Sequence, residues 1–396
     1  MRIVFSAVLL LGLVWSHRYL WRRIVRDTAL AHPWRRLATL VLIALGVVLP
    51  VTWAIARFWR MDGMGTLPLL AFTWMGALFY LMTMFGLVDV VRLAGRLRAR
   101  FRPKVTGEPA AVDGLDRRAF FARAVAGGSV VTTAGVTTFG IHSAMGDITT
   151  PEVPVRLARL PRQLDGLVIA QMSDVHIGPI LNEKFVRTLV EKTTAMKPDL
   201  VVITGDLVDG SVENLGRAVG LLGTIPSRYG TFFSTGNHEY YSDVEPWLEF
   251  LRKSGIRPLI NERVAIGDPG SPSGSFDLAG ITDSQGGWFH PSHVPDLGKA
   301  LAGRDPEREL VVLGHRPSQV VMAAEHDAGL HLAGHTHGGQ IWPFGLLTGL
   351  VQPYVKGHYQ HGERTQIYVS CGTGFWGPPM RILAPAEITK VVLRAG

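Results

Sequence analysis

Pro198-Asp199-Leu200-Val201-Val202-Ile203-Thr204-Gly205-Asp206-Leu207-Val208-Asp209-Gly210 is the stretch on which the reading of this chain turns. The apolar run at 200–203 predicts a strand buried on both faces, as strands of parallel sheets are. A carboxylate placed just past such a strand, after a glycine, sits where open α/β sheets hold their ligands. Asp206 has no cation near it in sequence and must find one in space. Four other stretches end apolar runs with Asp, Asn or His: Asp174-Val175-His176, Gly236-Asn237-His238-Glu239, Gly314-His315 and Gly334-His335-Thr336-His337. Any one of these pairs alone reads as a solvated polar pair, a turn residue or a core histidine. All five in one chain, each directly after a predicted strand, point to a pair of metal ions with Asp206 between them.

The composition divides the chain. Hydrophobic residues make up 47% and the mean hydropathy is +0.20, with a formal net charge of +8. Residues 1–150 hold 18 Lys and Arg against 7 Asp and Glu, whereas residues 151–396 hold 22 against 25. The basic excess therefore belongs to the apolar N-terminal part, a pattern of membrane topology that argues against nucleic-acid binding. The single cysteine, Cys371, excludes an intrachain disulfide.

Apolar runs predict about four membrane crossings, at about 1–16, 37–56, 66–91 and 119–141. The loops 17–36 and 92–118 carry six and eight Lys and Arg, and the loop at 57–65 carries two. Basic loops stay cytoplasmic, so four crossings bring the chain after Ile141 out on the extracytoplasmic face of the cell (inner) membrane. Residues 116–123, Asp-Arg-Arg-Ala-Phe-Phe-Ala-Arg, resemble a twin-arginine export signal set inside the chain. Residues 1–144 thus read as a transmembrane region. Residues 145–162, with Pro151, Pro154 and Pro161, read as a linker, and residues 163–396 as the catalytic domain. In that domain strands are predicted at 167–172, 198–203, 231–234, 263–266, 276–281, 310–313, 330–333, 366–370 and 388–393. Helices are predicted at 183–196, with Asn182 as N-cap, at 215–222 and at 245–253. Helices alternate with strands early and strands dominate late, which suggests two packed sheets with helices outside.

Two cations held roughly 3.5–4 Å apart need a bridging carboxylate, and Asp206 is the candidate. Asp, Asn and His donors without thiolates suit Mn, Fe, Zn or Co and disfavour calcium or a structural zinc. Ions there would lower the pKa of a water and clamp phosphate oxygens. A histidine outside the ligand set is needed to protonate the leaving alkoxide, and His238 is the candidate. Arg316 and Arg381 are candidate phosphate contacts, His290, His358 and Trp376 candidate cleft residues, and Tyr240-Tyr241 reads as packing.

Together the five motifs resemble the calcineurin-like metallophosphoesterases, over about residues 160–396. Gly338-Gly339-Gln340, Val369-Ser370-Cys371-Gly372-Thr373-Gly374, Arg381 and Pro385-Ala386-Glu387-Ile388 are similar to the membrane-anchored YkuE/YaeI-type branch. The resemblance implies a four-layer αββα sandwich. It implies that Asp174, His176, Asp206 and His337 bind one metal and that Asp206, Asn237, His315 and His335 bind the other. It further implies that His238 donates a proton and that Asp209 is a carboxylate behind the ligands. Cys371 departs from the branch, where a larger polar residue is expected. The expected activity is hydrolysis of a phosphodiester or pyrophosphate bond, in a free or lipid-linked substrate. A lipid-precursor pyrophosphatase acting on a nucleotide acyl-sugar and a non-catalytic metal-binding sensor are the alternatives.

Overall fold

The computed structural model describes residues 2–58, 66–101, 114–268 and 274–396. Most of the loop expected at 57–65, and 102–113 of the basic loop expected at 92–118, lie outside the described residues. The chain forms two compact units that divide near residue 141.

The first unit is helical, with helices Arg2–Trp21, Trp34–Phe58, Thr66–Arg100 and Gly114–Met145. Among the described residues three helices are long and apolar enough to cross a membrane: Trp34–Thr52, Thr66–Arg100 and Arg117–Met145. The crossing expected at 1–16 falls on Arg2–Trp21, where Leu9, Leu11 and Trp15 are exposed. Asp89, an acid within a long apolar helix, accepts from Tyr19 Oη at 2.6 Å and pairs with Arg23. A carboxylate so placed is costly without such partners.

In the second unit, strands β1 (Glu152–Leu157), β2 (Val168–Met172), β3 (Leu200–Thr204), β4 (Thr231–Ser234) and β5 (Ile256–Pro258) belong to one six-stranded sheet, which β12 (Thr389–Ala395) completes. Its order is β1-β12-β2-β3-β4-β5, with β12 antiparallel to β2 and β2 through β5 parallel. Strands β6 (Glu262–Gly267), β7 (Ser275–Gly280), β8 (Leu310–Leu313), β9 (Leu330–Ala333), β10 (Gly357–His361) and β11 (Thr365–Val369) form the other, in the order β10-β11-β9-β8-β7-β6. Within the stretch 145–162, read from sequence as a linker, β1 pairs in parallel with β12.

Alternation along the strands makes the layers. Leu200 and Val202 of β3 join Leu278, Val311 and Leu332 of the other sheet in the core between the sheets. Val201 and Ile203 face Leu189, Val219, Trp247 and Leu251 from helices Glu183–Ala195, Val212–Gly220 and Val244–Lys253. Beyond the second sheet, Ala279, Leu310 and Val312 pack on Leu297, Ala300 and Ala323 of helices Leu297–Ala300 and Val320–Glu325. This is helix, sheet, sheet, helix, the four-layer arrangement expected. Asn182 caps its helix, its Oδ1 accepting from Lys184 N at 3.0 Å. Stacking places the C-terminal ends of β2, β3 and β4 beside those of β8 and β9, and the five motifs follow those ends.

Candidate metal centre

Asp174, Asp206, His315 and His335 each stand two residues beyond the last residue of a parallel strand, β2, β3, β8 and β9 respectively. Asn237 opens the short helix Asn237–Tyr241 just after β4. The backbone turns sharply there. Asp174, His176, Asp206, His335 and His337 all have φ between 49° and 71°, the left-handed region that side chains rarely occupy. The loops hold one another in place: Asp174 N donates to Gly205 O at 3.0 Å, His176 N to Asp206 O at 3.1 Å, and Gly334 N to His315 O at 2.9 Å. The glycines before the ligands serve this contact between loops. A Cβ on Gly334 would lie 1.9 Å from Ser173 Oγ, and one on Gly236 would lie 2.2 Å from Asp206 Oδ1.

Three overlapping donor clusters result: Asp174, His176 and His337; Asp206, His315 and His335; and, across these two, His176, Asp206 and His238, with the donor atoms of each within 4.8 Å of one another. Asp206 stands between the first two. Its Oδ2 lies 3.1 Å from His315 Nε2, 3.9 Å from His176 Nε2 and 4.0 Å from His238 Nε2, while its Oδ1 accepts from His238 N at 2.9 Å. Burial opposes ionisation of Asp206, but His315, His238 and His176 outweigh it and hold the carboxyl well below the usual carboxylate range.

The protonation pattern fits cations. His176 Nδ1 faces Asp209 Oδ2 at 3.0 Å, and His315 Nδ1 faces Thr204 O at 2.8 Å. Each acceptor holds a proton on Nδ1 and turns Nε2 into the site; burial pulls the His315 imidazole down, but the Asp206 carboxylate more than reverses this and raises it to about 10, so an ion bound there would replace the Nε2 proton. His176 Nε2 then lies 3.1 Å from His337 Nε2, itself 3.3 Å from Asp174 Oδ1, and His315 Nε2 lies 3.2 Å from His335 Nδ1. The buried His337 Nδ1 has no hydrogen-bond partner among the described residues. Ring nitrogens and carboxylate oxygens converging in a buried site are the donor set of a divalent cation, and the set is nitrogen and oxygen only.

His238 is held from the other side. Its Nδ1 is 2.5 Å from Asp209 Oδ1, so Asp209 bridges His176 and His238. Burial pulls the His238 imidazole down, but Asp206 and Asp209 more than reverse this and raise it to about 9. Asn237 Oδ1 accepts from Arg316 Nη2 at 3.1 Å, and Arg316 Nε donates to Asp283 Oδ2 at 2.7 Å. Arg316 therefore fixes the Asn237 amide with its oxygen as acceptor.

Several residues differ from their sequence reading. Arg381 is fully buried and donates to the carbonyls of Cys371, Gly372, Gly374 and Ala384, so it ties the 371–385 loop and is closed to a phosphate. Cys371 is buried against the turn after His337, where a Cβ on Gly338 would lie 2.7 Å from its Sγ. The Tyr240-Tyr241 pair splits: Tyr240 is buried and bonded to Thr235 and His293, while the exposed Tyr241 stacks edge-on against His238 at 5.2 Å. Trp376 lies 5.9 Å from His238, ring to ring. His290 packs on His293, and His358 bonds Gln366. Glu239, quoted in its motif but given no role, is the main residue missed. Its buried carboxylate accepts from the backbone of Gly236 at 2.6 Å, Asp206 at 3.0 Å and Leu207 at 2.7 Å, and so clips the Asn237 loop to the Asp206 loop. The signal was its position three residues after Gly236, where an acid can reach back to the helix-start N–H.

A family model described as calcineurin-like phosphoesterase matches residues 167–339. A transmembrane protein with metallophosphoesterase domain from Danio rerio is 33% identical over 399 residues, which cover 98% of this chain and 88% of that protein. An uncharacterized metallophosphoesterase from Helicobacter pylori is 39% identical over 258 residues, 64% of this chain and 66% of its own. The uncharacterized metallophosphoesterase YkuE from Bacillus subtilis is 27% identical over 259 residues, 63% of this chain and 86% of its own. The chain belongs to the calcineurin-like metallophosphoesterases, hydrolases of phosphoester bonds.

Two outcomes are expected from this geometry. Asp206→Asn keeps the shape and removes the shared charge, so metal analysis of the purified protein should show both ions lost or weakened together. Two tightly held ions with full activity would contradict the bridging position. Glu239→Ala leaves three buried N–H groups without an acceptor, and unfolding measurements should show a loss on the order of 3 kcal/mol, with lowered metal content. Glu239→Gln keeps one acceptor oxygen and should lose less.

Proposed function

We propose that this chain is a membrane-anchored, dinuclear-metal phosphoesterase that hydrolyses a phosphodiester or pyrophosphate bond. The observation that carries the reading is the position of Asp206 Oδ2, on which three histidine nitrogens from three different loops converge. Asp174, His176, Asp206 and His337 would hold one ion, and Asp206, Asn237, His315 and His335 the other. When bound, such ions supply Lewis acidity and a water acidic enough to attack phosphorus near neutral pH. The chain supplies the rest. His238, positively charged, gives the Nε2 proton to the departing oxygen. Asp209 holds the opposite nitrogen of that ring, fixes its tautomer and stabilises its charge. Arg316 holds the Asn237 oxygen as an acceptor, whose second lone pair would serve an ion. The intact His238–Asp209 pair has no use in a purely metal-sensing protein.

Orientation follows from charge. The helices at the N-terminus carry their Lys and Arg in the segments 17–36 and 92–118, so with both on the cytoplasmic side the second unit lies outside the cytoplasm. Residues 1–144 then act as a multi-pass anchor, with Arg117 and Arg118 on the cytoplasmic side.

The full-length protein in detergent, loaded in turn with Mn, Fe, Zn or Co, should hydrolyse soluble phosphodiesters or nucleotide pyrophosphates faster than monoesters. His238→Ala should retain near-normal metal content while turnover falls by about 10²–10⁴. The deficit should shrink for substrates with acidic leaving groups, which need no proton; an equal deficit for every leaving group would remove His238 from this role. For topology, alkaline phosphatase fused after Gly396 should be active and a cytoplasmic fluorescent reporter there dark. The reverse pattern would put the second unit in the cytoplasm.

A further inference from the structure

Past the turn that follows His337 the chain forms the helix Phe344–Val351, Phe-Gly-Leu-Leu-Thr-Gly-Leu-Val. None of its residues is buried. Leu346 is 67% exposed, Leu350 80% and Val351 77%. A helix that packs through Gly345 and leaves Leu346, Leu347, Leu350 and Val351 exposed is out of place on a water-facing catalytic unit. Leu383, beside it, is 69% exposed and sits at φ 59°, a conformation unfavourable for a leucine, so the fold accepts local strain while an apolar side chain stays on the surface. Lys356 Nζ, bonded to Leu383 O at 2.7 Å, places one cation at this edge. From Ala328 to Gly362 there is no Asp or Glu, in a unit that is otherwise net acidic.

This surface is joined to the metal centre. The helix is held to the turn after His337 by a close approach of backbones, since a Cβ on Gly339 would lie 2.4 Å from Gly345 Cα. Gln340, in the same turn, bonds both ways with Trp376, its Nε2 to Trp376 O at 2.9 Å and its Oε1 from Trp376 N at 3.0 Å. Trp376 is half exposed, and its ring is 5.9 Å from that of His238. The turn after His337 and Trp376 thus link the exposed helix to His238.

We infer that the helix Phe344–Val351, with Leu383 and Trp376, enters a lipid surface, and that the substrate of the metal centre is an amphiphile whose phosphoester group is drawn from that surface. The occupant is lipid because the same chain carries, among the described residues, three helices long and apolar enough to cross a membrane, which tether this unit to a bilayer. The aliphatic helix, flanking tryptophan and single lysine without acids match an element that lies in the interface of a membrane with anionic headgroups. The inference rests on the phosphoesterase reading for its chemistry. Water adds to phosphorus, the bond from phosphorus to the leaving oxygen breaks, and His238 protonates that oxygen, with the acyl or isoprenoid chains left in the lipid.

The test uses the full chain in phosphatidylcholine vesicles containing phosphatidylglycerol. An environment-sensitive fluorophore on Leu350→Cys should be quenched by lipids bearing quenchers on their acyl chains, severalfold more than the same label on Glu249→Cys of the outer helix. Equal quenching would overturn lipid entry. In parallel, the triple variant Leu346→Ser, Leu350→Ser, Val351→Ser, which alters exposed residues only, should hydrolyse the soluble diester bis-para-nitrophenyl phosphate as the unaltered protein does. Its hydrolysis of phosphatidylglycerol or of a polyprenyl diphosphate in vesicles should fall about tenfold or more, from lost apolar burial. Undiminished lipid hydrolysis in the variant, or soluble substrates cleaved and no lipid cleaved by the unaltered protein, would overturn the substrate class. If the unaltered protein cleaves nothing, the phosphoesterase reading fails, and the quenching comparison alone still decides whether this surface enters lipid.

Discussion

A negative charge that burial opposes sits at the centre of this molecule. Asp206 is buried, yet its carboxylate stays ionised because ring nitrogens from β2, β4 and β8 loops approach one oxygen while a backbone N–H holds the other. Those loops come from both sheets. The two sheets must therefore stack in one register for the carboxylate to be compensated, and the apolar core between them fixes that register. Stability and site geometry are in this sense one requirement.

The cost is borne in the backbone. Five residues of the candidate metal centre occupy the left-handed region, each at a strand end where the chain reverses. They persist because the loops are over-determined: interloop N–H bonds, the Glu239 clip and the Arg381 tie leave little freedom to relax. Asp209 adds to this order, since one carboxylate holds the Nδ1 atoms of both His176 and His238.

Much of this was legible in the sequence, and the reason is physical. Strands buried on both faces are nearly uninterrupted apolar runs, so β3, β4, β8 and β9 and the motifs at their ends stand out. The short strands were hidden. β1 contains Pro154 and faces solvent with half its residues, β5 is three residues long, and β10 is polar and exposed. Each is an edge strand whose one neighbour supplies its hydrogen bonds. Arg381 and Glu239 were illegible for a related reason. Whether a charged side chain meets a substrate or a backbone is decided by where distant loops fold, and nothing in their local sequence records that.

The final strand carries a consequence for biosynthesis. β12 lies between β1 and β2, so the first strand of the catalytic unit touches its sheet only through the last. During translation β1 emerges early and stays without its pairing partner until the chain has been made almost to Gly396. Pairings of such long sequence separation form slowly. The first sheet therefore closes only once Thr389–Ala395 has been made, and a chain stopped anywhere before Thr389 leaves that sheet split, with an open edge on β2 and β1 without a partner.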